Sequence, residues 1–441
     1  MNNYCERVIE EVKGKYSNEP EYIQAVEEVL NSLSVVFDRH PEYESLKVLE
    51  NLVYADRIIE FKVPLTRDDG SLEYYRGYRI QHSNLLGVYK GGLRFHPSVC
   101  PSILKFLAFE QTFKNSLTTL PMGGGKGGSN FNPKGKSDAE IERFCYSFMK
   151  ELSKYIGEGL DVPAGDLGVG GREIKYLFKA YKDIKKNDEM GFITGKPLDM
   201  GGSLARTEAT GYGLVYFVEE VLKRKPIGNP RVVVSGSGNV AIYAAKKCQQ
   251  LGFKVVGMSD SNGYILDEDL DVEEVRRLKE DQNKASLSNY SKGTYKEGSI
   301  YDEDLHVDIV LPCATQNEIN KERAQRLVKN GVKIVAEGAN MPDNNDAIAV
   351  YKANGVVFVP GKASNAGGVA TSFLEMDQNW LREKWTFEEV DNKLKNIMKA
   401  IHESCIKAID EYNLDKYDYV SGANIAGATK VINAYINKIE K

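Results

Sequence analysis

The chain has 441 residues, 42% of them hydrophobic and 27% charged, with a formal net charge of −5. That length supports two or three domains with well-buried cores, and the mild negative charge disfavours nucleic-acid or anionic-membrane partners. Six scattered cysteines, none in CxxC spacing, argue against a metal centre or a disulfide framework and suit a reducing, cytoplasmic setting. No apolar run reaches the roughly 18 residues a membrane span requires, and Met1–Arg7 lacks the apolar core of a signal peptide.

Residues 4–38 read as two amphipathic helices, with Tyr22, Val26, Val29 and Leu30 at helical spacing. Arg57–Leu65 alternates as a strand does, Asp68-Asp69-Gly70 signals a turn, and Leu72–Ile80 alternates again, so a β-hairpin is predicted. Lys90-Gly91-Gly92-Leu93-Arg94-Phe95 reads as a glycine-rich loop in which glycines flank a cation. A helix from Ser98 to about Thr119 carries Gln111 and Lys114 one turn apart on one face.

Pro121-Met122-Gly123-Gly124-Gly125-Lys126-Gly127-Gly128 comes next, with five glycines around one lysine. Glycine lets backbone approach a ligand closely, so a loop presenting Lys126 to a bound molecule is expected; a solvated turn is the bland alternative. The stretch is not a P-loop, because Gly127 follows the lysine and Leu120 stands where the first glycine belongs. A lysine withdrawn from water or set among cations loses basicity and becomes usable as an acid or base. Lys90 and Lys114, taken singly, read as surface lysines; with Lys126 in one pocket they would suit a small dianion. A helix over about 137–156 leads to Asp161–Gly170, where Asp166 between glycines is either a turn residue or a general acid/base.

From Gly201 the composition shifts. Thr207–Lys223 reads as a helix, Arg231–Ser235 as a buried parallel strand, Ile242–Leu251 as a helix and Lys254–Ser259 as a second strand. Between them Gly236-Ser237-Gly238-Asn239-Val240-Ala241 has the G-x-G-x-x-A form, with Asp260 about 20 positions on. In that strand–turn–helix–strand context the motif predicts dinucleotide binding, the pyrophosphate meeting a helix N-terminus. Further strands at Val307–Leu311, Val332–Ala336 and Val356–Val359 alternate with helices from Glu318 and Asn344. Helices over Val369–Trp380, Glu388–Tyr412 and Ala423–Ile439 close the chain.

Several motifs in order resemble one family: Lys90-Gly91-Gly92, Gln111-x-x-Lys114, the Lys126 stretch, Pro163-Ala164-Gly165-Asp166, Thr315–Ile319, Glu337–Pro342 and Asn365-Ala366-Gly367-Gly368-Val369. Together they resemble the hexameric glutamate dehydrogenases of the short-subunit microbial type, over essentially the whole chain. The resemblance implies an α/β fold of two domains: a substrate-binding and oligomerisation domain over 1–199, with 425–441 packing back on it, and a Rossmann-type domain over 200–424. It implies that Lys90 and Ser372 hold the substrate's side-chain carboxylate, and that Lys114, helped by Gln111, holds the α-carboxylate. Ala164 and Val369 would line the same pocket. Lys126 would be the catalytic lysine and Asp166 the catalytic acid/base. Arg206, Thr210, Gly236, Ser237, Gly238, Asn239, Val240, Ala314, Thr315 and Asn340 would contact the cofactor.

The implied activity is the reversible oxidative deamination of L-glutamate to 2-oxoglutarate and ammonium by a cytoplasmic homohexamer, with substrate in a cleft that closes. Asp260 could hold a ribose 2′-OH, as NAD requires. Ser261 and Lys284 could instead meet a 2′-phosphate, and Ser-Asp-Ser resembles the NADP-type members, so NADP is expected, with NAD or dual use as the alternative. The segment Asn289–Asp304 departs from the family pattern. Two other functions compete: a branched-chain or aromatic amino-acid dehydrogenase, which would not need both Lys90 and Ser372, and a catalytically silent assembly or nucleotide-sensing protein on the same fold.

Overall fold

The computed structural model describes residues 2–280 and 285–440. The chain is an α/β protein with a five-stranded and a seven-stranded sheet. It divides into two compact units: Met1–Leu204 with Val369–Val390 and Asn424–Lys441, and Ala205–Gly368 with Asp391–Ala423.

The first unit begins with helices α1 (Asn3–Lys15), α2 (Pro20–Arg39) and α3 (Val48–Val53). Strands β1 (Arg57–Thr66) and β2 (Leu72–Ser83) form the expected antiparallel hairpin, Arg57 opposite Gln81 and Thr66 opposite Leu72. Then come β3 (Tyr89–Phe95), α4 (Pro101–Leu117), β4 (Gly124–Ser129), α5 (Asp138–Leu152), β5 (Asp161–Gly165) and α6 (Gly171–Lys185). Helix α4 starts later than Ser98 because Cys100 is extended and Pro101 supplies the first helical residue. The Ser137 side chain and Glu140 cap α5 reciprocally. The sheet runs β1-β2-β4-β3-β5. Its core is aromatic: Phe61 and Phe95 from the strands meet Phe131, Phe144 and Phe148, several of them edge to face.

The segments around Lys90 and Lys126 are not the loops that their glycines suggest: they are strands β3 and β4. Strand β4 is paired on both sides, antiparallel to β2 with Lys126 opposite Ile80, and parallel to β3 with Gly127 opposite Leu93. The glycines serve closeness and not flexibility. A methyl group on Gly91 would lie 1.7 Å from the carbonyl oxygen of Gly125, and one on Gly92 would lie 2.9 Å from Asp166 Cβ. Without side chains there, the sheet and α4 approach each other closely enough to bring the cations together.

The second unit holds α7 (Ala209–Arg224), β6 (Arg231–Val234), α8 (Asn239–Gln250), β7 (Lys254–Ser259), β8 (Gly263–Leu266), α9 (Val272–Glu280), β9 (Thr294–Glu297), β10 (Ile309–Leu311), α10 (Lys321–Lys329), β11 (Ile334–Ala336), α11 (Asn345–Ala353), β12 (Val357–Val359) and α12 (Gly361–Ser364). Strand order is β12-β11-β10-β6-β7-β8-β9. The first five are parallel, and β8 and β9 add two antiparallel strands beyond β7. The divergent segment Asn289–Asp304 contains β9. Chain direction across the sheet reverses between β6 and β10, the switch point at which doubly wound folds bind nucleotides.

Three helices follow: α13 (Gly367–Leu381), α14 (Phe387–Glu411) and α15 (Tyr419–Ile439). The stretch 200–424, expected as one domain, is divided by them. Val369–Val390 packs with the first unit, because Phe373 and Met376 of α13 bury against Met122 and Val162. Asn424 onward also joins that unit: Asn424 donates to Ser32 Oγ at 2.9 Å and Tyr435 to the Leu46 carbonyl at 3.0 Å.

Candidate active site

The first unit gathers its charged residues along β3, β4 and β5. Lys126, midway along β4, has a side chain only 6% exposed, and its Nζ lies 3.3 Å from Asp166 Oδ2. Asp166 stands immediately after β5, and its side chain is 21% exposed. Arg94 of β3 donates from Nε to the same oxygen at 2.8 Å. Burial pushes the Lys126 amine below the ordinary lysine range against the pull of Asp166, and Arg94 and Arg79 add to the lowering. Burial would raise the Asp166 carboxyl, yet Lys126 and Arg94 together bring it down to about 2.

A buried ion pair lies behind this group. Arg79 of β2 grips Asp161 with two nitrogens and donates to the Gly91 carbonyl at 3.0 Å, while Gln81 donates to Asp161 Oδ2 at 2.9 Å. These bonds cross-link β2, β3 and β5 and fix the backbone on which Lys90 and Ala164 sit.

Lys90 is 1% exposed, and its Nζ donates to Thr194 Oγ1 at 2.6 Å. Such burial is rare for lysine without polar partners. The backbone of Lys90 is held from α4, where Asn115 donates to its carbonyl at 3.0 Å and Gln111 donates to Asn115 at 2.7 Å. Gln111 therefore reaches the site through Asn115. Lys114 is partly exposed on the same helix. Ser372 is buried in α13, and Val369 packs near Met122 and Val162. Arg94, Thr194 and Asn115 were not singled out from the sequence. Arg94 lies in the Lys90 motif four residues on, and this was a usable signal; Thr194 had none.

The second unit collects the expected nucleotide residues at the C-terminal ends of its parallel strands. Gly236 has φ +87°, a left-handed conformation suited to glycine, and a Cβ there would lie 3.1 Å from that of Ala314. Its N–H is capped by Ser259 Oγ at 2.9 Å. Gly238 caps α8 with nothing within 4 Å of where a Cβ would project, beside exposed Asn239 and half-buried Ser237 and Val240. An open helix N-terminus with no side chain over it fits a pyrophosphate. Exposed Thr315 follows Ala314, and Asn340 accepts from Asn365 at 3.0 Å. Thr210 and Arg206 converge on Gly368, at 2.7 and 3.6 Å from its absent Cβ.

Asp260 is already engaged. Its side chain is 6% exposed, and it accepts from Lys279 Nζ at 2.8 Å and from the Leu287 N–H at 2.9 Å. Burial opposes ionisation, but those bonds hold the carboxyl below its usual range. Ser261 beside it is exposed. Lys284 lies outside the described residues.

A Rossmann-type sheet in one unit and, in the other, an aspartate and an arginine gathered on a buried lysine define an oxidoreductase-type architecture. The sequence comparisons specify it. Residues 201–438 match the model for the Glutamate/Leucine/Phenylalanine/Valine dehydrogenase family, and residues 55–183 match the dimerisation-domain model of the Glu/Leu/Phe/Val dehydrogenases. The chain is 53% identical to an NAD(P)-specific glutamate dehydrogenase from Xylanibacter ruminicola, covering 97% of each chain. It is 48% identical to an NAD-specific glutamate dehydrogenase from Clostridium symbiosum, covering 98% of each. Among solved structures, Plasmodium falciparum glutamate dehydrogenase superposes with a TM-score of 0.94 at 48% identity, over 99% of this chain and 94% of that one. The chain belongs to the glutamate/leucine/phenylalanine/valine dehydrogenase family.

Proposed function

We propose that the chain catalyses the reversible oxidative deamination of L-glutamate to 2-oxoglutarate and ammonium with NADP(H). The observation that carries this choice within the family is Lys90, a buried cation bonded to Thr194 and separate from the Lys126–Asp166 pair. A substrate with an apolar side chain presents no acceptor to a second lysine ammonium, whereas the side-chain carboxylate of glutamate does. Ser372 on α13 would join Lys90 at that carboxylate, with Ala164 and Val369 lining the pocket, and Lys114 with Gln111 would take the α-carboxylate.

The nicotinamide, when bound, accepts the hydride from the substrate Cα or returns it. Gly236, Ser237, Gly238, Asn239 and Val240 would hold the pyrophosphate, and Arg206, Thr210, Ala314, Thr315 and Asn340 the remainder. On the protein side, Asp166 takes a proton from the substrate ammonium, leaving a lone pair that stabilises the iminium formed as hydride departs. Lys126, as a neutral amine, removes a proton from the water that attacks the iminium carbon. Asp166 returns its proton to the nitrogen and, as a carboxylate again, takes the proton of the carbinolamine hydroxyl as the C–N bond breaks to release ammonia and the 2-oxo acid. The lowered basicity of Lys126 favours its part in this sequence.

NADP is favoured over NAD by Asp260, whose charge is spent on Lys279 and the backbone N–H groups of Asn262, Gly263 and Leu287, while Ser261 stands exposed beside it. A homohexamer is proposed from the family resemblance and the dimerisation-domain match. A cytoplasmic location is proposed from the six unpaired cysteines. No helix among the described residues is long and apolar enough to cross a membrane. The test is to follow reduced nicotinamide absorbance with 2-oxoglutarate and ammonium, in parallel with NADPH and NADH. NADPH consumption is expected; oxidation only with a branched-chain 2-oxo acid would overturn the substrate assignment.

A further inference from the structure

Glu375 is fully buried on α13, one helical turn beyond Ser372, and carries a carboxylate with no access to water. It is bound entirely to one short segment. Its Oε2 accepts from the Gly195 N–H at 2.9 Å, and Oε1 accepts from the Gly195 and Lys196 N–H groups at 3.2 Å each and from Lys196 Nζ at 2.7 Å. Lys196 is equally buried, with 0% side-chain exposure, and also donates to the Ile193 carbonyl at 2.6 Å. The segment so fixed carries Thr194, which donates from its N–H to the Pro163 carbonyl at 3.0 Å and accepts from Lys90 Nζ at 2.6 Å.

The bonds form a continuous relay from α13 through Gly195 and Thr194 to the Lys90 ammonium. A buried ion pair is weak evidence of stability, because its desolvation offsets much of its attraction. Here a hydrophobic pair would fill the same space but could not hold two successive N–H groups at a defined place.

We propose that Glu375 is a positioning residue that sets the Lys90 ammonium for the substrate's side-chain carboxylate, and so sets preference for acidic over neutral side chains. The inference rests on the assignment of Lys90 made under Proposed function. Loosening Gly195 lets Thr194 shift, and Lys90 then turns toward whichever carbonyl is nearest. Binding of the side-chain carboxylate suffers, while Lys126, Asp166 and the nucleotide residues keep their places.

The experiment measures kcat and KM for 2-oxoglutarate and for 2-oxovalerate, which lacks the second carboxylate, together with KM for NADPH. Wild-type, Glu375→Gln, Glu375→Asp and the double variant Glu375→Gln/Lys196→Met are compared. Glutamine offers one acceptor oxygen and turns its amide hydrogens on the remaining donors. In Glu375→Gln, KM for 2-oxoglutarate is expected to rise about tenfold or more, the scale on which a displaced charge-assisted bond acts. Its kcat and the KM for NADPH stay within about threefold. Preference over 2-oxovalerate shrinks by the same factor, and Glu375→Asp falls between. The double variant removes the unpaired buried lysine, so it folds where the single variant is frail, and it too loses preference.

Equal losses on both 2-oxo acids, or a folded double variant with wild-type preference, overturn the proposal. Failure of the wild-type protein to use 2-oxoglutarate is a different result, because it removes the substrate assignment itself.

Discussion

Arg94 Nε lies 2.8 Å from Asp166 Oδ2, closer than the 3.3 Å that separates Lys126 Nζ from the same oxygen. The nearest partner of the proposed proton carrier is thus the guanidinium, which cannot itself give up a proton at ordinary pH. Arg94→Met should let the Asp166 carboxyl rise above about 2. Its loss also removes a cation that lowers Lys126. Both groups then titrate higher, so the pH–rate profile for glutamate oxidation should move to higher pH, with kcat down roughly 10- to 100-fold. An unmoved profile would remove Arg94 from the tuning of this pair.

Lys126 gives a prediction in which activity and stability part company. Its amine is depressed in the folded chain, so between the folded and the unfolded value the unfolded chain binds more protons and stability rises with pH. Below that window the buried ammonium carries its full desolvation cost. Lys126→Met should abolish turnover by roughly 10²- to 10⁴-fold, yet leave the melting temperature at neutral pH equal or higher, Asp166 keeping Arg94 as its partner. Differential scanning calorimetry beside a rate assay checks both halves.

Much of this geometry was legible in the sequence, and the reasons are local. The alternation of Arg57–Leu65 turns one face of the hairpin inward, and the strand observed over Arg57–Thr66 keeps it. The G-x-G-x-x-A turn reads correctly because its form follows from φ at Gly236 and open space at Gly238. Lys126 was misplaced in a loop because runs of glycine usually punctuate strands; tertiary pairing with β2 and β3 outweighed propensity. Nothing nearby in sequence announces Thr194 or Glu375, whose importance lies in partners 104 and 180 residues away. The antiparallel pair β8 and β9 leaves no clear sequence signal because each strand is only four residues long and α9 lies between them.

Gly92 tests the reading of glycine as a spacing device. A methyl group there would meet the Gly165 carbonyl oxygen at 2.8 Å and Asp166 Cβ at 2.9 Å. Gly92→Ala should push Asp166 away from Lys126, lowering kcat by more than about tenfold, with destabilisation of about 1–3 kcal/mol from overpacking. A flexible-hinge role would instead predict that activity tracks temperature or viscosity.

Cofactor choice can be shifted at Ser261. Placing a carboxylate there, Ser261→Glu, should raise KM for NADPH at least about tenfold through repulsion of the 2′-phosphate, while affecting NADH much less. Equal effects on the two would sink the assignment of Ser261. Freeing Asp260 by Lys279→Ala should act in the same direction, since its 2.8 Å partner is lost.

In the second unit, Glu337 and Asp343 are a buried pair of acids. Glu337 accepts from the Gly361 N–H at 2.7 Å, and Asp343 accepts from the Tyr351 hydroxyl at 2.9 Å. Burial pushes Glu337 up to about 7 and drives Asp343 upward as well. A folded-state value above the unfolded one means that the folded chain holds more protons, so this contribution to stability is lost as pH rises toward 7. Glu337→Gln should flatten the pH dependence of thermal unfolding across that interval, at some cost in stability at its acid end.

The last helix carries a consequence for how the chain is made. Ser116, at the end of the helix bearing Lys114, donates to the Gly427 carbonyl at 2.8 Å, and Lys430 donates to the Ser116 carbonyl at 3.2 Å. The unit built on Met1–Leu204 is thus completed by Asn424–Lys441, which lie beyond the second unit in sequence. On the ribosome the face of α4 that α15 covers stays open until residues 205–423 have been translated, so the first unit is completed only after the second has left the exit tunnel.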